Sequence, residues 1–126
     1  MTRISARVGA EFESGTDCTV MGLKLRNRGT GETCETGELD LDGNSWYRGG
    51  TEYYNFESYP HCDKFQPREK LQFKFHFHWT CIDHMQLWQL RVYFWRRYYQ
   101  WNGEHWFTPS SGWMDFDFED TEPDDH

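Results

Sequence analysis

The sequence predicts an all-β fold, an antiparallel sandwich of eight short strands, and three observations carry that reading. Leu71 to Trp79 alternates without a fault, with Leu71, Phe73, Phe75, Phe77 and Trp79 on one side and Gln72, Lys74, His76 and His78 on the other. The aromatic fraction is 19% while Ala and Leu are sparse, a composition that suits strands better than helices. Short alternating stretches recur along the chain, punctuated by Gly and Pro. A closed barrel is the alternative architecture. Five large apolar residues on one strand face need a second apolar layer, and a sandwich supplies it.

The elements follow in order. Arg3 to Val8 sets Ile4, Ala6 and Val8 against Arg3, Ser5 and Arg7 and reads as the first strand. A loop from Gly9 to Asp17 leads to a second strand, Cys18 to Arg26, whose alternation slips near Gly22 and predicts a bulge. Asn27 to Gly31 is a turn by composition, and Glu32 to Leu41 is a weaker, polar strand. The loop from Asp40 to Gly50 is acidic first and aromatic later, and Thr51 to Glu57 reads as strand. Ser58 to Glu69, with Pro60 and Pro67, is a loop before the central strand. Beyond a turn at Thr80 to Gln86, Trp88, Leu90, Val92 and Phe94 give another inward face. Arg96 to Gly103 reads as a turn region, Glu104 to Thr108 as a short strand and Trp113 to Phe118 as the last one. The sandwich thus occupies residues 1–118, and residues 119–126 form an acidic tail whose composition predicts disorder.

Length and charge exclude several function classes. The chain has 126 residues, enough for one domain with a single core. No apolar run reaches about 18 residues, so no transmembrane helix is expected. Met1-Thr2-Arg3 leads straight into a strand-like segment, so no signal peptide is expected in this sequence, as would also hold if a leader had been removed. A formal net charge of −8 argues against non-specific nucleic-acid binding, which depends on neutralising phosphates. It also opposes a purely electrostatic grip on anionic lipid.

The four cysteines lack CxxC spacing, so a zinc ribbon is not expected. An even count in a small β-rich chain suits two disulfides and a secreted, oxidising setting, with free buried thiols as the alternative. If every connection reverses the chain, the loops at 9–17, 40–50 and 80–86 share one end of the sandwich, and those at 27–31 and 58–69 share the other. Cys18 then meets Cys81, and Cys34 meets Cys62, the pairing that respects this parity.

Four groups of residues are candidates for function. Glu11, Glu13 and Asp17 in one loop, with Asp40, Asp42 and Asn44 in another at the same end, could supply the six to eight oxygens calcium takes. The same residues also read as solvated loop carboxylates. Trp46 and Tyr47 at that end could insert at a membrane interface, anchor a protein, or fold back over the core. His76 and His78 share an outward strand face about 7 Å apart, a spacing that can grip one zinc or copper ion, with His84 beyond the strand end. A solvated or interface-facing pair is the plainer reading. Last comes the run Tyr93, Trp95, Arg96, Arg97, Tyr98, Tyr99 and Trp101, where aromatics interleave with arginine. Tyr93 and Trp95 should point away from Phe94, which predicts an unusually apolar outer surface and makes a homodimer plausible, with core on one face and a partly covered outer face as the plainer reading.

With the strands laid out, a family resemblance emerges. Gly15-Thr16-Asp17 before an apolar strand, Gly31-Glu32, Glu38-Leu39-Asp40, and Trp46-Tyr47-Arg48-Gly49-Gly50-Thr51-Glu52 before another resemble the PLAT (polycystin, lipoxygenase, alpha-toxin) or LH2-like domain. Glu69-Lys70-Leu71, Leu87 to Val92, and Trp113 followed by acidic residues fit the same pattern. Met85 departs from it, standing about where the family carries a Trp, and paired cysteines are not a general family feature. The resemblance implies an eight-stranded PLAT/LH2-type sandwich that is not an enzyme and whose end loops bind membrane lipid or a protein partner. In several members calcium assists, and Asp17 and Asp40 are the positions that match best. The competing expectation is a secreted, disulfide-stabilised interaction protein that binds a protein or carbohydrate through an aromatic-rich sheet face. A small metalloenzyme built on the His pair is a third.

Overall fold

The computed structural model describes residues 3–8, 20–36, 51–55, 62, 65–68, 70–78, 85–94 and 97–121. Nine strands lie among them: β1 (Arg3–Val8), β2 (Val20–Asn27), β3 (Thr33–Glu35), β4 (Thr51–Asn55), β5 (Leu71–Phe77), β6 (Met85–Phe94), β7 (Arg97–Phe107), β8 (Met114–Asp115) and β9 (Phe118–Thr121). They form a five-stranded sheet, β4-β1-β6-β7-β9, and a four-stranded sheet, β3-β2-β5-β8. All the strand pairs are antiparallel. The predicted antiparallel sandwich is therefore present, with one strand more than the eight expected from sequence.

The alternation of β5 makes the core. Leu71, Phe73, Phe75 and Phe77 are buried, and Ile4, Ala6 and Val8 of β1 meet them from the opposite sheet together with Leu90, Val92 and Phe94 of β6. Phe73 packs against Trp101 and Phe107 of β7 at ring-centroid distances of 6.0 and 5.8 Å, and Phe75 against Phe107 at 5.2 Å. Each such buried ring contributes about 1.5–3 kcal/mol by leaving water.

Three expectations need correcting. The described part of the expected turn Arg96 to Gly103 is not a turn, because Arg97 to Phe107 is one long strand held by β6 on one side and β9 on the other. Trp88 does not face inward. The ladders slip at Leu87–Gln89, so Leu87 and Leu90 are both buried while Trp88 sits half-buried on the outer face. The acidic segment from 119 does not begin as a disordered tail, since Glu119, Asp120 and Thr121 belong to β9 and pair with Tyr99, Tyr98 and Arg97.

The C-terminal part changes sheets within a few residues. The Phe116 amide donates to the Leu71 carbonyl of the four-stranded sheet, and the Asp117 amide to the Gln100 carbonyl of the five-stranded one. Phe116 lies at this crossing, 4.8 Å from the Phe73 ring and 5.9 Å from Tyr99.

The opposite margin is fastened covalently. Cys34 and Cys62 form a disulfide with a Cα–Cα distance of 5.6 Å, as the loop parity required. Cross-linking residues 28 apart in sequence restricts the unfolded chain by about 3–4 kcal/mol. Buried Asn27 fastens the same region: its Nδ2 donates to the Gln66 carbonyl at 3.0 Å and its Oδ1 accepts from the Arg68 amide at 2.8 Å. Phe65 is thereby seated against Phe94. The Cys18–Cys81 pairing lies outside the described residues.

The predicted bulge at Gly22 is present as a register shift between Val20 and Gly22. Here the Thr36 backbone crowds in: its amide donates to the Leu23 carbonyl, and its Oγ1 accepts from the Leu23 amide at 2.9 Å. A Cβ on Gly22 would stand 2.7 Å from the Thr36 carbonyl oxygen, closer than real contacts allow. Gly22→Ala is expected to destabilise the protein by about 1–3 kcal/mol in urea unfolding. An unchanged midpoint and slope would show that the β2–β3 contact is looser than described.

Candidate functional site

Both sheets turn their inner sides to the core, so anything the described strands offer to a partner lies on the two outer faces. On the five-stranded sheet the outward positions form rows across β1, β6 and β7. Arg3 stands opposite Tyr93, and Tyr93 opposite Tyr98; Ser5, Arg91 and Gln100 form the next row, and Arg7, Gln89 and Asn102 the third.

These side chains are tied to one another. The Arg3 guanidinium covers the Tyr93 ring at 4.2 Å, and the Arg91 guanidinium lies 5.0 Å from the Tyr98 ring. Tyr93 and Tyr98 stack with centroids 5.4 Å apart. Arg91 Nε donates to Gln100 Oε1 at 2.6 Å, and Gln100 Nε2 donates on to Asn102 Oδ1 at 2.7 Å. The buried Gln100 amide is thereby satisfied at both ends, which fixes its rotamer. At the other end of the face Arg7 lies 5.4 Å from the Trp88 ring, and Trp88 Nε1 donates to Gln86 Oε1 at 3.2 Å. Trp106, directly across from Gln86, stays 37% exposed and is the exposed large apolar side chain among the described residues.

Of the two residues expected to make an unusually apolar outer surface, Tyr93 is described, and it follows the alternative of a partly covered outer face. Tyr93 does point away from Phe94, but the guanidinium of Arg3 and the ring of Tyr98 cover it, and it is buried. Of the aromatic run, Tyr99 and Trp101 face the core. Trp95 and Arg96 lie outside the described residues.

The four-stranded sheet carries a different set. Lys24 of β2 stands directly opposite Lys74 of β5, Arg26 opposite Gln72, and Gly22 opposite His76. Arg26 lies 4.3 Å from the Trp113 ring, while its Nε and Nη2 both donate to Gln72 Oε1, at 3.0 and 2.7 Å. Gln72 Nε2 then donates to Asp115 Oδ1 at 2.8 Å. His76 Nδ1 is 2.5 Å from Glu35 Oε1, so that nitrogen is engaged by a carboxylate rather than turned to a metal. Among the described residues no group of three or more His, Cys, Asp or Glu is placed to hold a metal ion. His84, the acidic residues Glu11, Glu13, Asp17, Asp40, Asp42 and Asn44, and the aromatics Trp46 and Tyr47 all lie outside the described residues.

Sequence reading missed Trp88 and Trp106 as surface groups and Gln100 as the link between Arg91 and Asn102, and it missed the Lys24–Lys74 couple. The outward alternation of Arg3, Ser5 and Arg7 was visible, but which lysine faces which depends on register alone.

No family model matches this chain, and no curated protein matches it. The PLAT resemblance therefore rests on the short motifs themselves. Among the described residues no helix is long and apolar enough to cross a membrane.

One ionisable group on the core side is strongly perturbed. Tyr99 is buried at the edge where Arg97 and Glu119 pair at 2.8 Å. Burial first, and then the Glu119 carboxylate, push its phenol from 10.0 up to about 12, while Arg97 pulls the other way. The folded state holds this proton more tightly than the unfolded chain. Its contribution is therefore whole below the ordinary phenol value and is lost as pH rises from 10.0 through about 12. Between about pH 9 and about pH 11 the parent should lose about 1 kcal/mol more stability than Tyr99→Phe in urea titrations. Equal losses would mean that Tyr99 ionises as freely as in the unfolded chain.

Proposed function

We propose that this chain is a secreted binding module, stabilised by disulfide, that docks a protein partner on the outer face of its five-stranded sheet. The observation that supports this reading most is the locked array Arg91–Gln100–Asn102, with Arg3, Tyr93 and Tyr98 at one end of the face and Arg7, Trp88 and exposed Trp106 towards the other. Arginine, tryptophan and tyrosine are the residues that carry protein–protein binding energy, whereas lysine is depleted at such interfaces. Of the described lysines, Lys24 and Lys74 belong to the opposite sheet, and Lys70 immediately precedes its strand β5. Side chains held in place before contact lose little freedom on binding, which favours affinity. The Cys34–Cys62 bond suits an oxidising compartment. The end-loop contact with lipid that the PLAT resemblance implies uses loops outside the described residues, so the sheet face is the better supported surface.

The test is site-specific photocrosslinking. A photoreactive phenylalanine replaces Trp106 in one protein and Trp113, on the other sheet, in a second, and both are exposed to secreted proteins of the source. A discrete protein adduct is expected from position 106 alone. With that partner purified, Trp106→Ala should weaken binding roughly 10- to 30-fold. Adducts that form equally from both positions, or an affinity untouched by Trp106→Ala, would contradict the assignment.

A further inference from the structure

The four-stranded sheet carries an arrangement that works against its own stability. Lys24 and Lys74 are direct cross-strand partners on the outer face. Side chains so placed have Cβ atoms about 4.5–5.5 Å apart, and like charges there are unfavourable. Neither lysine forms an ion pair or hydrogen bond among the described residues. Glu35, the other neighbour of Lys24 across the ladder, is drawn to His76 instead. Arg26 lies one pleat along β2 from Lys24, about 6.7 Å, its guanidinium fixed between Trp113 and Gln72. Three cations thus form a triangle, bordered by Glu35 on β3 and Asp115 on β8, on a chain of net charge −8.

We propose that this face binds an acidic polysaccharide, with Lys24 and Lys74 together taking one anionic group of the polymer and Arg26 the next. The site is on the sheet opposite the protein-docking face and stands independently of it. Charge complementarity requires an anion, and the rest of the molecule decides its form. An anionic membrane is a plane that meets the field of the whole acidic molecule, whereas a thread meets only the basic stripe, because charges beyond about 8 Å are screened at physiological salt. Strand-wise nucleic-acid binding relies on aromatic platforms for successive bases, and Trp113 here is already covered by Arg26. Lysine ammoniums are compact and strongly hydrated, which suits a hydrated polymer better than a dry protein interface.

The experiment is a titration of the folded chain with size-defined polygalacturonate at several salt concentrations, followed by Trp fluorescence. Neutral dextran, a single-stranded oligothymidylate and vesicles of equal parts phosphatidylserine and phosphatidylcholine are the comparison ligands. Polygalacturonate should bind more tightly than all three. The double variant Lys24→Gln, Lys74→Gln should bind it at least about ten-fold more weakly and reduce the slope of log K against log salt by about 1.5. Removal of a like-charge pair should leave that variant unfolding no earlier than the parent, and charge-conserving Lys74→Arg should retain binding. Preference for the oligonucleotide, the vesicles or dextran overturns the proposal. So does an affinity and salt slope unchanged in the double variant, or loss of binding in Lys74→Arg with the fold intact.

Discussion

The contact on which the structure depends is the seat of the Phe73 ring between the sheets. Phe73 projects from the four-stranded sheet and is fully buried. It meets Trp101 and Phe107 of the five-stranded sheet and Phe116 at the crossing between β8 and β9. Neither sheet could keep its apolar side out of water alone. Because the inner sides are used up in this way, the polar alternates of β1, β5 and β6 are turned outward, and the two outer faces become the surfaces on which recognition can be built.

Those faces differ in chemistry, and the difference follows from which residue types the alternation sends out. On β1, β6 and β7 the outward positions hold arginine, amide and aromatic side chains that hold one another in place. On β2 and β5 they hold Lys24, Arg26, Gln72, Lys74 and His76. The first set is rigid and suited to a close, largely dry contact. The second leaves two lysines facing each other with no ion pair to either among the described residues, since Glu35 across from Lys24 pairs with His76, and this makes sense as a place for an anion brought from outside.

Much of this was legible in the sequence because period-two patterning survives wherever one face of a strand is buried. The buried row of β5, the strand Arg3–Val8, the bulge at Gly22 and the Cys34–Cys62 bond could be read from residue order and loop parity. What could not be read depends on pairing across distance. The strand from Arg97 onward looked like a turn because Arg97, Asn102 and Gly103 are poor strand formers, yet β6 and β9 clamp it from both sides. Glu119 and Asp120 looked too acidic to be ordered, but they sit on an edge strand where charge is tolerated. Trp88 was misplaced by a single register slip, which turns a residue to the opposite face. Of the candidate sites, the sequence showed that aromatics and arginines interleave near Tyr93, and it did not show that Arg3 and Tyr98 would cover that ring.

The most direct test of the account is the stability of Phe73→Ala, followed at once by near-ultraviolet circular dichroism and by backbone amide exchange in both sheets. The account predicts a loss of about 3–5 kcal/mol, with amides of β5 and β7 losing protection together in a single transition. A loss below about 1 kcal/mol, or two sheets that open at separate denaturant concentrations, would show that this ring does not hold the sandwich closed.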